Sequence, residues 1–151
     1  MNWQSLRRVI TDNDPDGRSR ILIGLLDATD QLADRDLRLE PDPGAVKVRW
    51  FTVAPEDASK SIEEREAAAA FGFSAVGAAH CRVDTSRHPM MHKTTSLDVI
   101  ILIKGEVDLL LDQGEVSLKP GDVVIQRATN HGWVNKGSET ALLVAVLIHA
   151  D

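Results

Sequence analysis

HKTTSLDVIILIKGEVDLLLDQGEVSLKPGDVVIQRATNHGWVN, residues 92–135, decides the fold. Val99–Ile103 is an apolar run rich in β-branched residues, closed by Lys104-Gly105. Val107–Leu111 follows and ends at Asp112-Gln113-Gly114; Val116–Leu118 stops at Lys119-Pro120-Gly121-Asp122. Val123–Gln126 leads through Arg127–Asn130 to Gly132–Val134, and Leu142–Ile148 is the last and longest run. Short apolar runs parted by Gly, Pro, Asn and Asp predict antiparallel strands in a sandwich or barrel. The connections are too short for the crossover helices that parallel pairing needs.

Side-chain alternation predicts the site. His92 and Thr94 share a strand face, Asp98 shares one with Ile100 and Leu102, and His131, Trp133 and Asn135 share another. In a barrel the inward positions meet in the middle. His92, Asp98 and His131 are therefore the candidate catalytic and metal-ligating residues. Trp133 is the expected apolar wall, or a core tryptophan, and Thr94, Gln126 and Asn135 are expected polar neighbours. His88 lies close enough in sequence to reach the barrel mouth. Two imidazoles and a carboxylate suit iron, manganese, nickel or zinc. A metal-free pocket, with Asp98 bonded to the loop carrying Thr94 or Thr95, is the alternative reading.

The same stretch resembles a known family. Gly121-Asp122-Val123-Val124, with His131 four positions before Asn135, resembles the second motif of the cupins. Asp98 followed by six residues and Gly105 resembles the end of their first motif. The resemblance implies an all-β double-stranded β-barrel, the cupin jelly roll, and often a divalent metal held by three histidines and a glutamate. Here His92 fits the first histidine, Thr94 stands where the second is usual, and Asp98 replaces the glutamate. The loop before His131 is one residue shorter than usual. These departures resemble a branch of small single-domain cupins reading His-Arg-Thr-x-Thr-Leu-Asp and Gln-Arg-Gly-Thr-Asn-His. What the resemblance implies is a small-molecule enzyme, a lyase, decarboxylase, dehydratase or isomerase for an oxygenated carboxylic, aromatic or polyketide-like substrate. A dioxygenase and a non-catalytic metabolite-binding module are the alternatives.

The rest of the chain is read outward from there. Its 151 residues suffice for one domain. The expected organisation is residues 1–75 as N-terminal strands, loop and short helix packed on a barrel core of residues 76–151. Cys81 is the single cysteine, so no intrachain disulfide forms, and a buried, unreactive thiol is expected. The first ten residues lack a signal-peptide core, and no apolar run is long enough to span a bilayer, so a cytoplasmic location is expected. The net charge of −6 without a basic patch argues against nucleic acid. No nucleotide or organic cofactor motif is present, and the strongly apolar last strand suggests a homodimer.

Three local readings complete the picture. Leu6–Thr11 and Arg20–Leu25 are expected strands around Asp12-Asn13-Asp14-Pro15-Asp16-Gly17, which imitates half of an EF-hand but reads as a polar hairpin turn. Asp27–Asp42 reads as irregular and Ala45–Val53 as a strand. Ser61-Ile62-Glu63-Glu64 fits a capping box opening a helix to about Phe71, ended by Gly72. Val76–Val83 is a further strand candidate. His80 and His149 carry no motif.

Overall fold

The computed structural model describes residues 9–23 and 38–150. The expected loop at Asp27–Asp42 lies, up to residue 37, outside the described residues, as do the outer ends of the two N-terminal strands. The chain divides into two compact units, residues 1–37 and 38–151.

In the first unit, β1 (Ile10–Asn13) pairs antiparallel with β2 (Ser19–Ile23). The Asp14 carboxylate accepts from the backbone N–H of Asp16 at 3.0 Å and of Arg18 at 2.9 Å. Asp12 pairs with Arg20 across the hairpin at 3.3 Å. The acidic loop therefore uses its carboxylates to close the turn, as such residues commonly do.

The second unit contains two antiparallel sheets. One runs in the order β3 (Val46–Val53), β9 (Ala141–Ile148), β4 (Leu97–Lys104), β7 (Val123–Arg127). The other runs β6 (Glu115–Leu118), β5 (Val107–Leu111), β8 (His131–Val134). Their inner faces share one core, with Ile100, Leu102, Leu143 and Leu147 from the first sheet and Val107, Leu109, Leu118 and Trp133 from the second. β9 is buried along most of its length because β3 and β4 flank it on both sides. β4 alternates as expected, with Asp98, Ile100 and Leu102 turned in. The sheets do not close into a continuous barrel. The turn between β4 and β5 packs so tightly that a Cβ on Gly105 (φ 83°) would lie 2.8 Å from the Ala141 Cα.

Three elements differ in detail from the sequence reading. β3 is a full member of the larger sheet, and it turns Phe51 and Val53 toward the core while Val46 and Val48 face out. The helix α1 (Ile62–Ala75) opens on the expected capping box, with Ser61 Oγ accepting from Glu64 N–H at 3.2 Å and Glu64 accepting from Ser61 N–H at 2.8 Å. It continues through Gly72, because Ala69 and Phe73, four apart, bury the same face. The left-handed residue after it is Gly77 (φ 64°). The expected strand at Val76–Val83 is instead a 3-10 turn at Ala79–Cys81. Ala78 and Cys81 pack on Phe73 rather than entering a sheet.

Candidate functional site

The backbone places the two motif histidines side by side. His92 donates its N–H to the His131 carbonyl at 2.8 Å, and His131 returns the bond at 2.9 Å. A pair that exchanges both bonds is the closed rung of an antiparallel ladder. The imidazoles consequently pack with centroids 4.2 Å apart. Phe73 of α1 stacks on His92 at 4.7 Å, and Trp133 meets His131 edge-on at 5.6 Å.

The ring tautomers follow from their partners. His92 Nδ1 lies 2.9 Å from the Met90 carbonyl, and His131 Nδ1 lies 2.9 Å from the Thr129 carbonyl. A carbonyl only accepts, so each Nδ1 carries the hydrogen and each Nε2 keeps its lone pair. Both rings are held neutral. Burial pushes His92 below its ordinary value; burial and the neighbouring His92 push His131 down to about 3.

Asp98 is buried on β4 and stands apart from this pair in its bonding. Its Oδ2 accepts a long 3.5 Å contact from Thr94, which in turn accepts from Ser96 at 3.1 Å. Its Oδ1 has no partner. Burial pushes the carboxyl above its ordinary value; the bonds from Ser96 and Thr94 oppose that without cancelling it, and the Glu40 charge adds to it.

Among the described residues, the set of His, Cys, Asp or Glu side chains whose ligand atoms all lie within 4.8 Å of one another is Glu40, His80 and Cys81, not His92, Asp98 and His131. The aspartate, one methylene shorter than glutamate, is tethered to Thr94 on its own segment. The two imidazoles do have the arrangement of metal-ligating histidines, with a backbone carbonyl orienting the far nitrogen.

The other expected residues divide by what they hold. Gln126 donates to the carbonyl and hydroxyl of Thr129, bracing the turn in which Ala128 adopts φ 48°. That turn presents the carbonyl to His131. Asn135 donates to the carbonyls of Val53 at 2.9 Å and Glu139 at 2.7 Å and accepts from Gly137 N–H at 2.9 Å. Its amide is occupied as a clamp between loops. Trp133 belongs both to the core and to the wall of a cavity. His88 accepts from Met90 N–H on Nδ1 at 3.1 Å, which leaves Nε2 to donate to Glu56 at 2.6 Å. Burial alone would raise the Glu56 carboxyl, but bonds from His88 and Arg65 hold it below its ordinary value.

The cavity has a volume of about 490 Å3. It is bounded by Ala69, Gly72 and Phe73 of α1, Phe51 and Val53 of β3, and Trp133 of β8, with Glu56, Arg65 and His88 as its charged and polar rim. Phe73 and Trp133 are thus common to the cavity wall and to the packing of the histidine pair. Arg82 fixes this side of the helix, donating to Glu66 at 2.6 Å and to the Pro89 carbonyl at 2.9 Å while its guanidinium lies 5.9 Å from the Phe73 ring centre. Phe73, Glu56 and Arg65 were not singled out from the sequence. The capping box located the helix that carries Arg65 and Phe73, but no periodicity says which loop that helix covers, and Glu56 lies before it.

Residues 79–147 match the family model described as Cupin domain. They form a cupin domain. The cupin match spans β4 to β9 almost completely and includes both histidines and Asp98. Among curated proteins, the chain is 53% identical over 53 residues to phomopsin biosynthesis cluster protein C' of Diaporthe leptostromiformis, 34% of this chain and 28% of that protein. It is 44% identical over 46 residues to a cupin-domain-containing oxidoreductase of Aspergillus ruber, 30% of this chain and 23% of that protein. The chain thus matches about a quarter of the length of each of these relatives. Among solved structures it is similar to a cupin 2 conserved barrel domain protein from Salinispora arenicola, 20% identical with a TM-score of 0.44, over 75% of this chain and 73% of that one. Among the described residues, no helix is long and apolar enough to cross a membrane.

Proposed function

We propose that this cupin takes a small, largely apolar molecule bearing a hydroxyl or enolisable carbonyl, and that His92 and His131 move its proton. The observation that carries this reading is the pair of buried neutral imidazoles packed behind Phe73 and Trp133, which line an apolar cavity that neither histidine itself lines. Each ring has spent its hydrogen on a carbonyl, so the pair offers acceptors and no donor. Two acceptors call for a ligand that brings a donor. The cavity, at about 490 Å3, suits a ligand of aromatic or polyketide-like size.

The two rings have different tasks. His131, held neutral by burial, accepts a hydrogen bond from a substrate hydroxyl. His92, also held below its ordinary value by burial, takes the proton from the carbon or oxygen that loses it. Returned to another atom, that proton gives isomerisation; delivered to a departing hydroxide, it gives dehydration and water. Phe73 and Trp133 exclude solvent from the pair, and His88, Glu56 and Arg65 at the rim suit a carboxylated or oxygenated end of the ligand.

Oxidoreductase chemistry is the second reading, favoured by several relatives named as cupin-domain-containing oxidoreductases. A divalent metal, if His92, Asp98 and His131 held one, would supply redox or Lewis-acid chemistry there. The proposal extends to a homodimer in solution. Val46 and Val48 on edge strand β3 are 60% and 39% exposed, an apolar edge that a second copy would cover.

The test is a panel of aromatic, phenolic and β-keto carboxylic acids, assayed for binding and turnover on native protein. The expected result is that His92→Gln abolishes turnover while preserving binding. Turnover that survives in His92→Gln and His131→Gln contradicts the proton-transfer reading. Binding without any turnover moves the assignment to a metabolite-binding module.

A further inference from the structure

The cluster of Glu40, His80 and Cys81 lies outside the histidine pair and outside the cavity. His80 Nε2 is 2.9 Å from Glu40 Oε2 and 3.6 Å from Cys81 Sγ. We propose that these three side chains form a second site, for a divalent transition metal of the zinc class.

Three observations support it. The first is spacing. In a tetrahedral zinc site, with Zn–S about 2.3 Å and Zn–N about 2.0 Å, sulfur and nitrogen stand about 3.5 Å apart and nitrogen and oxygen about 3.3 Å. The His80–Cys81 separation matches, and the His80–Glu40 separation needs a shift of a few tenths of an ångström. The second is hydrogen bonding. Nε2 can carry one hydrogen at most. With that hydrogen given to Glu40, Cys81 Sγ at 3.6 Å is left with a weak contact only. A cation would bind all three atoms together. The third is support behind the ligands. The other carboxylate oxygen of Glu40 accepts from Thr95 N–H at 2.8 Å and from the Thr95 hydroxyl at 2.9 Å. A ligand carboxylate held in this way is the usual outer-shell arrangement of a metal centre.

The donor set of one sulfur, one nitrogen and one oxygen favours zinc and cobalt(II) over magnesium or calcium. As the metal–sulfur bond forms, the thiol proton leaves to solvent, and the metal carries the charge balance. The exposed side of His80 leaves a fourth position for water. Once bound, the metal ties residue 40 to the 3-10 turn and, through Thr95, to the segment that enters β4.

The experiment is cobalt(II) titration of the purified chain, read by near-ultraviolet thiolate-to-cobalt charge transfer and by the stoichiometry of binding. The expected result is one equivalent of cobalt and the charge-transfer band. His80→Ala, at an exposed position that leaves the fold intact, should weaken binding at least tenfold, and Cys81→Ser should abolish the band. His131→Ala should retain both signals, which separates this site from the proton-transfer centre. Cobalt binding without the band, an undiminished band in His80→Ala, or a band lost in His131→Ala overturns the proposal.

Discussion

A buried histidine that gives one ring nitrogen to a carbonyl can be charged only by exposing its other nitrogen to a proton in a dry site. His131 is in that position, pushed down from 6.5 to about 3. Between those values the unfolded chain binds a proton there that the folded chain does not, so stability rises with pH across this window and falls on acidification. The slope for one such group is about 1.4 kcal/mol per pH unit at most. Asp98, pushed up, acts in the opposite sense from its ordinary value upward. Urea unfolding of His131→Asn should therefore show a flatter loss of stability between about pH 6 and pH 4 than the native chain; an unchanged slope would mean that His131 is charged in the folded state. Asn135 makes three hydrogen bonds from a nearly inaccessible position. Asn135→Ala should cost about 2–4 kcal/mol, measured by denaturant unfolding, because it leaves buried carbonyls unpaired. At this scale the sequence was informative about His92, His131 and Trp133, whose strand positions dictate their facing. It was informative about Asp98 as well, which alternation turns inward with Ile100 and Leu102 and whose contact with Thr94 was one of its two readings.

At the scale of elements, α1 is the piece that makes a cavity beside the sheets. Gly72 lies inside the helix at ordinary backbone angles, and a Cβ there would meet nothing within 4 Å. Gly72→Ala should stabilise the chain by up to about 1 kcal/mol through helix propensity alone, read as a higher unfolding midpoint. Gly72→Trp should keep the fold and weaken binding of anilinonaphthalene sulfonate at least tenfold, because position 72 borders the cavity; undiminished binding would place the probe elsewhere. The strands after residue 96 were legible because each buried run is bounded by turn residues. The helix start was legible from its capping box. Its end was not, since Gly72 looks like a stop signal until the burial of Phe73 on the same face is known. The segment Val76–Val83 misled for a related reason: its small apolar residues fill space under the helix, with no alternating face to read.

At the scale of the whole molecule, the long-range partners were the least legible. Glu40 meets His80 across 40 positions of sequence and Thr95 across 55, and no periodicity links such residues. The homodimer proposal belongs here too. Sedimentation at micromolar concentration should give twice the 16.5 kDa chain mass, and Val48→Lys on the exposed edge should shift it toward monomer; a native chain sedimenting as monomer would contradict the proposal. The central claim is that His92 and His131 are neutral, Nδ1-protonated rings that meet a hydroxylated ligand. The most direct test is long-range proton–nitrogen NMR of the histidine side chains, free and with the phenolic acid that binds best. The expected spectrum has both rings in the Nδ1–H form at neutral pH, His131 keeping it well below the ordinary histidine value, with both Nε2 signals moving on ligand binding. A protonated ring at neutral pH, or ligand shifts confined to His88, would contradict the account.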